Sequence, residues 1–393
     1  MSGFALSEGL RQQRTTGLYR SRTTVASAQR PEVTVDGRRY LVFSSNNYLG
    51  LADHPKVIAR FQQAANEYGV GSGASHLIIG HSKAHQALEE ALAALTGRDR
   101  ALLFGNGYMA NLGAMAALTG REDSIFQDRL NHASLLDAAQ LSGARWRRFR
   151  HKNHDHLVNL LAKSTARNTL IVTDGVFSMD GDRADLHGLS SIAEQHNAWL
   201  MVDDAHGIGV LGKNGGGSAE HLGLTQQHLP ILMGTLGKAF GTYGAFIAGS
   251  DALIESLIQF ARTYIYTTAL PPAIAEATRA SLQIIQQEPW RREHLKELIR
   301  FFRHSCEQLG IALMPSETPI QPLLTGSVAE TLAVSEALAE QGILVSAIRP
   351  PTVPKGESRL RIALSAAHTK TQVEQLVNAL DTVINHPSHQ QKR

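Results

Sequence analysis

The residue best suited to take part in a reaction is Lys238, which lies between glycines shortly after the apolar run Ile231–Met233. This pattern predicts a strand that ends in an exposed turn. A lysine at such a turn offers an accessible amine, which can form a Schiff base with an aldehyde cofactor. A Gly-Lys turn by itself is more often a solvated loop, so its interpretation depends on the segments that precede it.

A second chemical signal is the sequence Asp203-Asp204-Ala205-His206, directly after the apolar run Trp199–Val202. Two carboxylates at the end of a buried strand are costly unless they meet a positive partner. Asp203 could hold a proton on a pyridine nitrogen, and His206 is spaced to reach a phenolic oxygen on the same ring. A metal site or a structural helix cap would use the same residues, but no further ligands occur at metal-site spacing.

Two earlier segments complete the pattern. The segment 104–111 predicts a strand, a glycine turn and a helix start, whose amides suit a phosphate; a simple tight turn would look the same. His132 follows a polar stretch rather than a clear strand, and its imidazole could stack on a flat heterocycle or lie exposed. In this order, a phosphate turn, a histidine, Asp-x-x-His and a lysine are what pyridoxal 5'-phosphate (PLP) chemistry requires.

The elements that must position these residues alternate between apolar runs and helical segments. The predicted strands are Ala101–Phe104, Leu170–Thr173, Trp199–Val202, Ile231–Met233 and Ala245–Ala248. Such alternation predicts an α/β fold with a mostly parallel sheet, helices on both faces and the site at the carboxyl ends of the strands. We predict an N-terminal arm with a short β element over 1–45, a large PLP-binding α/β domain over 46–288 and a small α+β domain over 289–393.

Composition narrows the functional classes. The 393 residues carry a formal net charge of +3, from 38 basic and 35 acidic side chains. The basic run 145–152 is predicted to be a solvated edge between a helix and the next strand rather than a nucleic-acid surface. Cys306 is the only cysteine and lies in a helical apolar pattern, which favours a core position. The sequence lacks a signal peptide and a membrane-length apolar run, so we expect a cytoplasmic protein with no membrane, nucleic-acid or metal partner.

Motifs along nearly the whole chain resemble those of the α-oxoamine synthases, a branch of the fold-type I PLP-dependent enzymes. The segments that carry the resemblance are 46–50, 71–73, 131–134, 174–182, 203–207, 235–238 and 359–362. The resemblance implies a fold-type I PLP-dependent transferase with a large, mostly parallel sheet domain and a smaller α+β C-terminal domain.

The resemblance also implies roles for single residues. Lys238 would bind the cofactor aldehyde and move the α-proton of the substrate, and Asp203, His132 and His206 would complete the catalytic set. The implied cofactor-binding residues are Gly107, Tyr108, His132, Ser178, Asp203, His206, Thr235, Lys238, Thr267 and Thr268, with Thr267 or Thr268 supplied by a second subunit. The implied substrate-binding residues are Arg20, Asn46 and Arg361, of which Arg361 would grip the amino-acid carboxylate.

Segment 349–354, with 75–77 and 80–82, resembles the branch that joins L-alanine to pimeloyl-CoA or pimeloyl carrier protein in biotin synthesis. A homodimer with shared active sites is implied. Two alternatives stay open: a glycine-using relative, such as 2-amino-3-ketobutyrate CoA ligase or 5-aminolevulinate synthase, and a non-catalytic partner subunit. Lys238, Asp203, His206 and Arg361 argue against the last, because a scaffold has no need of buried charges there. Ile78 and Ile79 could line an acyl channel or be ordinary core.

Overall fold

A computed structural model describes Phe4 and residues 6–386 of the chain. Contacts between Cα atoms divide it into two units. The larger unit comprises 46–178 and 182–293; the smaller one comprises the described residues up to 45, 179–181 and those from 294 onward. The N-terminal arm is thus grouped with the C-terminal segment, and the second division falls after 293. The three-part organisation expected from the sequence stays a prediction.

The elements of the described residues alternate between strands and helices along most of the chain. The strands are β1 (Glu32–Val35), β2 (Arg38–Val42), β3 (Arg100–Phe104), β4 (Ser124–Asp128), β5 (Arg145–Phe149), β6 (Thr169–Asp174), β7 (Trp199–Asp203), β8 (Ile231–Thr235), β9 (Ala245–Gly249), β10 (Ile320–Gly326), β11 (Ile343–Leu344), β12 (Ser346–Ile348) and β13 (Ser358–Ala363). The α-helices are α1 (Leu6–Thr15), α2 (Pro55–Tyr68), α3 (Lys83–Thr96), α4 (Gly107–Leu118), α5 (Ala133–Ser142), α6 (His154–Leu161), α7 (Leu186–Gln195), α8 (Gly217–Leu222), α9 (Asp251–Phe260), α10 (Arg262–Ile265), α11 (Pro272–Gln287), α12 (Trp290–Gln308), α13 (Val328–Glu340) and α14 (Lys370–Asn385).

A seven-stranded sheet, in the order β3-β9-β8-β7-β6-β4-β5, forms the centre of the larger unit as the structure describes it. The pairs β4–β5, β4–β6, β6–β7 and β7–β8 are parallel, whereas β9 runs antiparallel to β3 and β8. All the predicted strands lie in this sheet, so the mostly parallel arrangement is confirmed. Because parallel strands end at one edge, the residues after β4, β6, β7 and β8 lie at the same side of the sheet.

Two apolar cores cover the two faces of the sheet. One contains Met201 of β7 with side chains of α4, α5 and α9, and the other contains Val202 with side chains of α6 and α7. Neighbouring residues of a strand point to opposite faces, so each face of β7 packs against its own helices. The helices on both faces that the sequence predicts are therefore confirmed.

Two strands of the sheet lie where the sequence analysis predicts no strand. Ser124–Asp128, read as a polar stretch before His132, is strand β4, and all five residues are buried. Arg145–Phe149, predicted to be a solvated edge between a helix and the next strand, is strand β5 at the edge of the sheet. Its three arginines are exposed, so the predicted solvation is confirmed and only the missing strand is a correction. An edge strand needs only one paired side and tolerates charged side chains on the other. In β4, the terminal Asp128 accepts hydrogen bonds from the segments around it, which compensates its burial.

The smaller unit contains two three-stranded sheets within the described residues, β1-β2-β11 and β10-β13-β12. Asp36 and Gly37 form the turn between the antiparallel strands β1 and β2, with positive φ angles of 48° and 77° that suit a hairpin turn. Cys306 is fully buried in α12, as expected of a core residue. In the part of the chain that the structure describes, no helix has both the length and the apolar character needed to cross a membrane.

Candidate active site

A cavity of about 190 Å³ lies at the carboxyl ends of the parallel strands in the larger unit. Its lining includes all the predicted cofactor residues except Thr267 and Thr268. The lining residues are Gly107, Tyr108, His132, Ser134, Asp174, Ser178, Asp203, Ala205, His206, Met233, Thr235 and Lys238. The fold therefore brings together residues that are separated by more than 130 positions in the chain.

Asp203 ends β7 and is 5% exposed. Its Oδ2 accepts a hydrogen bond from Asn111 Nδ2 at 2.8 Å, and its Oδ1 accepts one from the Ala205 amide at 3.0 Å. The same Asn111 amide group also donates to Ser134 Oγ at 2.8 Å, so two helices hold the carboxylate in place. A carboxylate has about four acceptor sites, and these two bonds leave the others for a ligand in the cavity.

Lys238 is the first member of a hydrogen-bonded chain that runs into the core. Its Nζ lies 2.9 Å from His206 Nε2, and His206 Nδ1 lies 2.7 Å from the hydroxyl of Tyr48. Tyr48, which is fully buried, donates to Asn46 Oδ1 at 3.1 Å. Since the Tyr48 proton is directed to Asn46, the Tyr48 oxygen accepts from His206 Nδ1–H. Nε2 of His206 then accepts from the lysine amine.

His132 immediately precedes α5 and caps it. Its Nδ1 accepts from the Ser134 amide at 3.3 Å and lies 2.8 Å from Ser134 Oγ, while its own amide donates to Asp174 Oδ1 at 3.3 Å. Burial of the ring lowers the pKa of His132; the charge on Asp203 opposes this effect and that on Lys238 adds to it. A neutral imidazole held at one edge leaves its face available for stacking.

The turn after β3 leads into α4, as the sequence predicts. Asn106 Oδ1 accepts from the Met109 amide at 3.0 Å, which leaves the amides of Gly107 and Tyr108 ahead of the first helical hydrogen bonds. These two residues and Thr235 line the cavity. A helix N-terminus with an adjacent hydroxyl is a suitable place for a phosphate group.

Four residues near the site were missed by the sequence reasoning: Tyr48, Asn111, Ser134 and Asp174. Asp174 ends β6 directly beside Asp203 of β7, and its amide donates to Asn131 Oδ1 at 3.1 Å. Burial, followed by the charge on Asp203, raises the pKa of Asp174 well above its usual range. Its position at the end of a predicted strand was a usable signal. Tyr48 lies in segment 46–50, which carries the family resemblance, but its role, like that of Asn111, depends on contacts with distant segments.

The remaining predicted site residues lie elsewhere. The hydroxyl of Thr267 donates to the Thr263 carbonyl and Thr268 pairs with Ser75, so neither lines the cavity in this single chain. Asn46 contacts the site through Tyr48. Within the smaller unit, Arg20 lines a cavity of about 690 Å³, and Arg361 is a buried residue of β13.

Ile78 and Ile79 are 73% and 82% exposed, in a π-helical turn over His76–Gly80. Their interpretation as ordinary core is therefore wrong for the single chain. The acyl-channel interpretation stays a prediction.

The protein family described as aminotransferase class I and II matches residues 38–380 of the chain. The chain belongs to this family. The larger unit of this chain carries the sheet and the lysine cavity described above.

An 8-amino-7-oxononanoate synthase of Cellvibrio japonicus (strain Ueda107) is 60% identical over 380 residues, which cover 97% of this chain and 96% of that protein. The solved 8-amino-7-oxononanoate synthase of Francisella tularensis is 32% identical, with a TM-score of 0.77 over 89% of this chain and 99% of that one. A serine palmitoyltransferase variant of S. paucimobilis, solved with a bound PLP–myriocin aldimine, is 28% identical, with a TM-score of 0.92 over 98% of both chains. The predicted fold class, a fold-type I PLP-dependent transferase, is confirmed by these likenesses.

Proposed function

We propose that this protein is a PLP-dependent acyltransferase that makes 8-amino-7-oxononanoate from L-alanine and a pimeloyl thioester, on CoA or a carrier protein. The observation that carries the proposal is one cavity containing Lys238, His206 and Asp203, in a chain 60% identical to a synthase of that name. A bond forms between the alanine α-carbon and the thioester carbonyl carbon. The α-carbon loses its carboxylate as carbon dioxide, and the acyl carbon loses its thiol.

The residues of the cavity fit PLP. Lys238 offers an amine for the aldehyde, Asp203 offers carboxylate oxygens for a protonated ring nitrogen, and the amides of Gly107 and Tyr108 suit the phosphate. Ser178 and His206 are the proposed partners of the phenolic oxygen, and Thr235 is a further phosphate ligand. When bound, PLP supplies an electron sink that stabilises negative charge at the alanine α-carbon.

The protein's own groups would then carry the proton transfers. The amine of Lys238 takes the α-proton and later returns a proton to the product, as a positioned general base and acid. His206, held by Tyr48 on one side, faces Lys238 with its other nitrogen at 2.9 Å, which keeps the amine in position. We assign the amino-acid carboxylate to Arg361, whose planar guanidinium can donate two parallel hydrogen bonds.

For the distal carboxylate of the pimeloyl chain we propose Arg20. It lines the 690 Å³ cavity of the smaller unit together with Arg349 and Thr352. Two arginines and a hydroxyl in one cavity are suited to a carboxylate. Asn46 is proposed as a further substrate contact. Arg20→Ala should raise KM for the pimeloyl thioester more than KM for alanine.

We further propose a homodimer with shared active sites, in the cytoplasm. Val70, Leu77, Ile78 and Ile79, all within ten positions of the chain, are 86%, 47%, 73% and 82% exposed, and large exposed apolar surfaces are typical of interfaces with a partner. Thr267 and Thr268 would then enter the partner's site. An inactive Lys238→Ala chain mixed with an inactive Thr267→Ala/Thr268→Ala chain should regain activity when subunits exchange. Verified mixed dimers without activity would contradict the sharing of sites through these threonines.

A substrate panel tests the reaction. Alanine, glycine and serine are each assayed against pimeloyl-, succinyl-, acetyl- and palmitoyl-CoA and against pimeloyl carrier protein, with thiol release and product mass as readouts. We expect alanine with a pimeloyl thioester to be the best pair, with a preference over glycine of about 10–200-fold for one methyl group. If glycine with a short acyl group is best, the biotin-pathway assignment is wrong although the cofactor assignment stands.

A further inference from the structure

His151 lies between two carboxylates just after β5, in the larger unit. Its Nδ1 is 2.9 Å from Asp128 Oδ1 and its Nε2 is 2.9 Å from Asp182 Oδ2. Carboxylate oxygens accept hydrogen bonds, so both ring nitrogens must donate, which only the imidazolium form can do. Burial lowers the pKa of His151, but the bonds to Asp128 and Asp182 outweigh it and raise the pKa to about 9.

Asp128, one of the two carboxylates, is hydrogen-bonded to the turn that leads to His132. Asp128 ends β4 and is 1% exposed. Its Oδ1 accepts from the Leu130 amide at 2.8 Å, its Oδ2 accepts from the Lys152 amide at 2.9 Å, and its carbonyl accepts from the Asn131 amide. The carboxylate therefore joins the β4 turn to the segment after β5. His132 follows this turn directly.

The Asp182 side controls the segment that carries Ser178. The Asp182 carbonyl accepts from the Phe177 amide at 2.9 Å, and Val176 pairs with Arg183, so Ser178 lies in a loop closed at its base. The edge of the His151 ring meets Phe177, with centroids 4.5 Å apart at 88°. Lys152 Nζ adds a second cation at 3.0 Å from Asp182 Oδ2.

The geometry points to His151 as a positioning residue, a charged clamp that holds the His132 turn and the Ser178 loop in register with each other. This inference rests on the proposed function only for the cofactor roles of His132 and Ser178. A single imidazolium suits this position because it can donate in two opposite directions. The charged groups that face it are Asp128, Asp182 and Lys152, and Asp174 interacts electrostatically with Asp128.

His151→Gln tests the clamp, because its amide oxygen would face one of the two carboxylates. His154→Gln is the matched control: His154 lies three residues later, and its Nδ1 is 3.8 Å from the exposed Asp185. Hydrogen exchange of the purified holoenzyme is followed in 128–134 and 175–184. We expect exchange about tenfold or more faster in both segments for His151→Gln, since a hydrogen bond to a charged group is lost on each side. His154→Gln should match the wild type.

Asp182→Asn removes the charge of only one of the two carboxylates that contact His151. It should speed exchange in 175–184 and leave 128–134 near the wild-type rate, which a general loss of stability would not do.

In the wild type, exchange corrected for its intrinsic pH dependence should rise in both segments as pH passes about 9. ¹⁵N NMR of labelled histidine should show His151 doubly protonated at pH 7.5. PLP affinity, measured by fluorescence titration, should fall for His151→Gln and not for His154→Gln.

A neutral His151 at pH 7.5 would overturn the proposal. So would wild-type exchange in both segments of a folded His151→Gln variant. Should that variant fail to fold, unchanged exchange in 175–184 of Asp182→Asn overturns the proposal equally. These readouts do not depend on which reaction the enzyme catalyses, so a failure here is distinguishable from a failure of the proposed function.

Discussion

Asp203 and Asp204 are neighbours of the same residue type, at and just after the end of one strand, yet they lie in different surroundings. Asp203 is on the face of β7 that packs against α4 and α5, and it lines the cavity. Asp204 is on the opposite face and is completely buried. Adjacent residues of a strand point to opposite sides, so one carboxylate faces a ligand site and the other faces the core.

Asp204 meets neutral partners. Its Oδ2 accepts from the Ser218 amide at 2.7 Å, and its Oδ1 lies 2.5 Å from the Ser218 hydroxyl. Glycines surround it because larger residues do not fit: a Cβ at Gly207 or Gly217 would lie 2.1 Å from an Asp204 oxygen. The cost of burying Asp204 is therefore offset by neutral hydrogen-bond donors rather than by a positive partner. Burial raises its pKa to about 7, against the opposing bonds from Ser218.

A buried carboxylate is therefore not by itself a catalytic signal. What distinguishes Asp203 is the open cavity beside it and the groups that face the same space, His206 and Lys238. Asp204 instead holds the glycine-rich turn that follows the strand. Changes on the cavity face should alter chemistry, and changes at Asp204 should alter stability.

The largest effect should follow Lys238→Ala on the cavity face. We expect a loss of activity on the order of 10⁴-fold, because both cofactor attachment and the proton transfer are removed. Borohydride should fix the cofactor of the wild type on the peptide that contains Lys238, and on no peptide of the variant. Lys213→Ala, an exposed lysine, is the control and should behave as the wild type. Full labelling at another lysine would contradict the assignment.

Asp203→Asn should have the next largest effect. The neutral amide cannot stabilise a positive charge on the ring nitrogen, so α-proton exchange on alanine should slow by roughly one hundredfold or more while PLP still binds. Deuterium exchange at the alanine α-carbon, followed by NMR, measures this step directly. Near-normal exchange would show that the cavity-facing carboxylate is not the partner of the ring nitrogen.

Tyr48→Phe should produce a smaller loss, about tenfold, because it removes one buried hydrogen bond to His206 without adding volume. His206 loses the acceptor of its Nδ1 proton, so its tautomer should shift, which ¹⁵N NMR of labelled histidine can detect. Tyr243→Phe, at a tyrosine that is 51% exposed, is the control. An unchanged spectrum and unchanged kcat would mean that Tyr48 does not orient His206.

Asp204→Asn should change kcat least, by roughly a factor of three or less at pH 7, because Asp204 does not line the cavity. Its effect should appear in the pH dependence of stability. A carboxyl whose pKa rises from 3.8 in the unfolded chain to about 7 in the fold makes the free energy of unfolding fall as pH rises through that range. The denaturant concentration at the midpoint of unfolding should therefore fall less between pH 4 and 8 in Asp204→Asn than in the wild type. An equal slope in both proteins would show that Asp204 does not titrate in this way.

Much of the fold could be predicted because apolar runs are local signals. Leu170–Thr173 and Ile231–Met233 are strands as predicted, since continuous apolar runs suit a sheet covered on both faces. Ser124–Asp128 was missed because Ser124 and Asp128, at its two ends, are residue types typical of turns, and the burial of Asp128 depends on partners such as His151. In the same way, the burial of Tyr48 beside His206 joins positions 158 residues apart.

The local sequence was enough to identify the available chemical groups. An amine at Lys238, a carboxylate at Asp203 and an imidazole at His206 each follow a predicted strand, whereas the imidazole of His132 was recognised without its strand. Side-chain type and strand periodicity are properties of short segments, so these inferences needed no contacts. That Asp203 faces the cavity while Asp204 faces Ser218, and that His151 joins two turns, became visible only in the folded chain. Such choices depend on which face of a strand is covered and on groups brought together from distant parts of the chain, which no local pattern records.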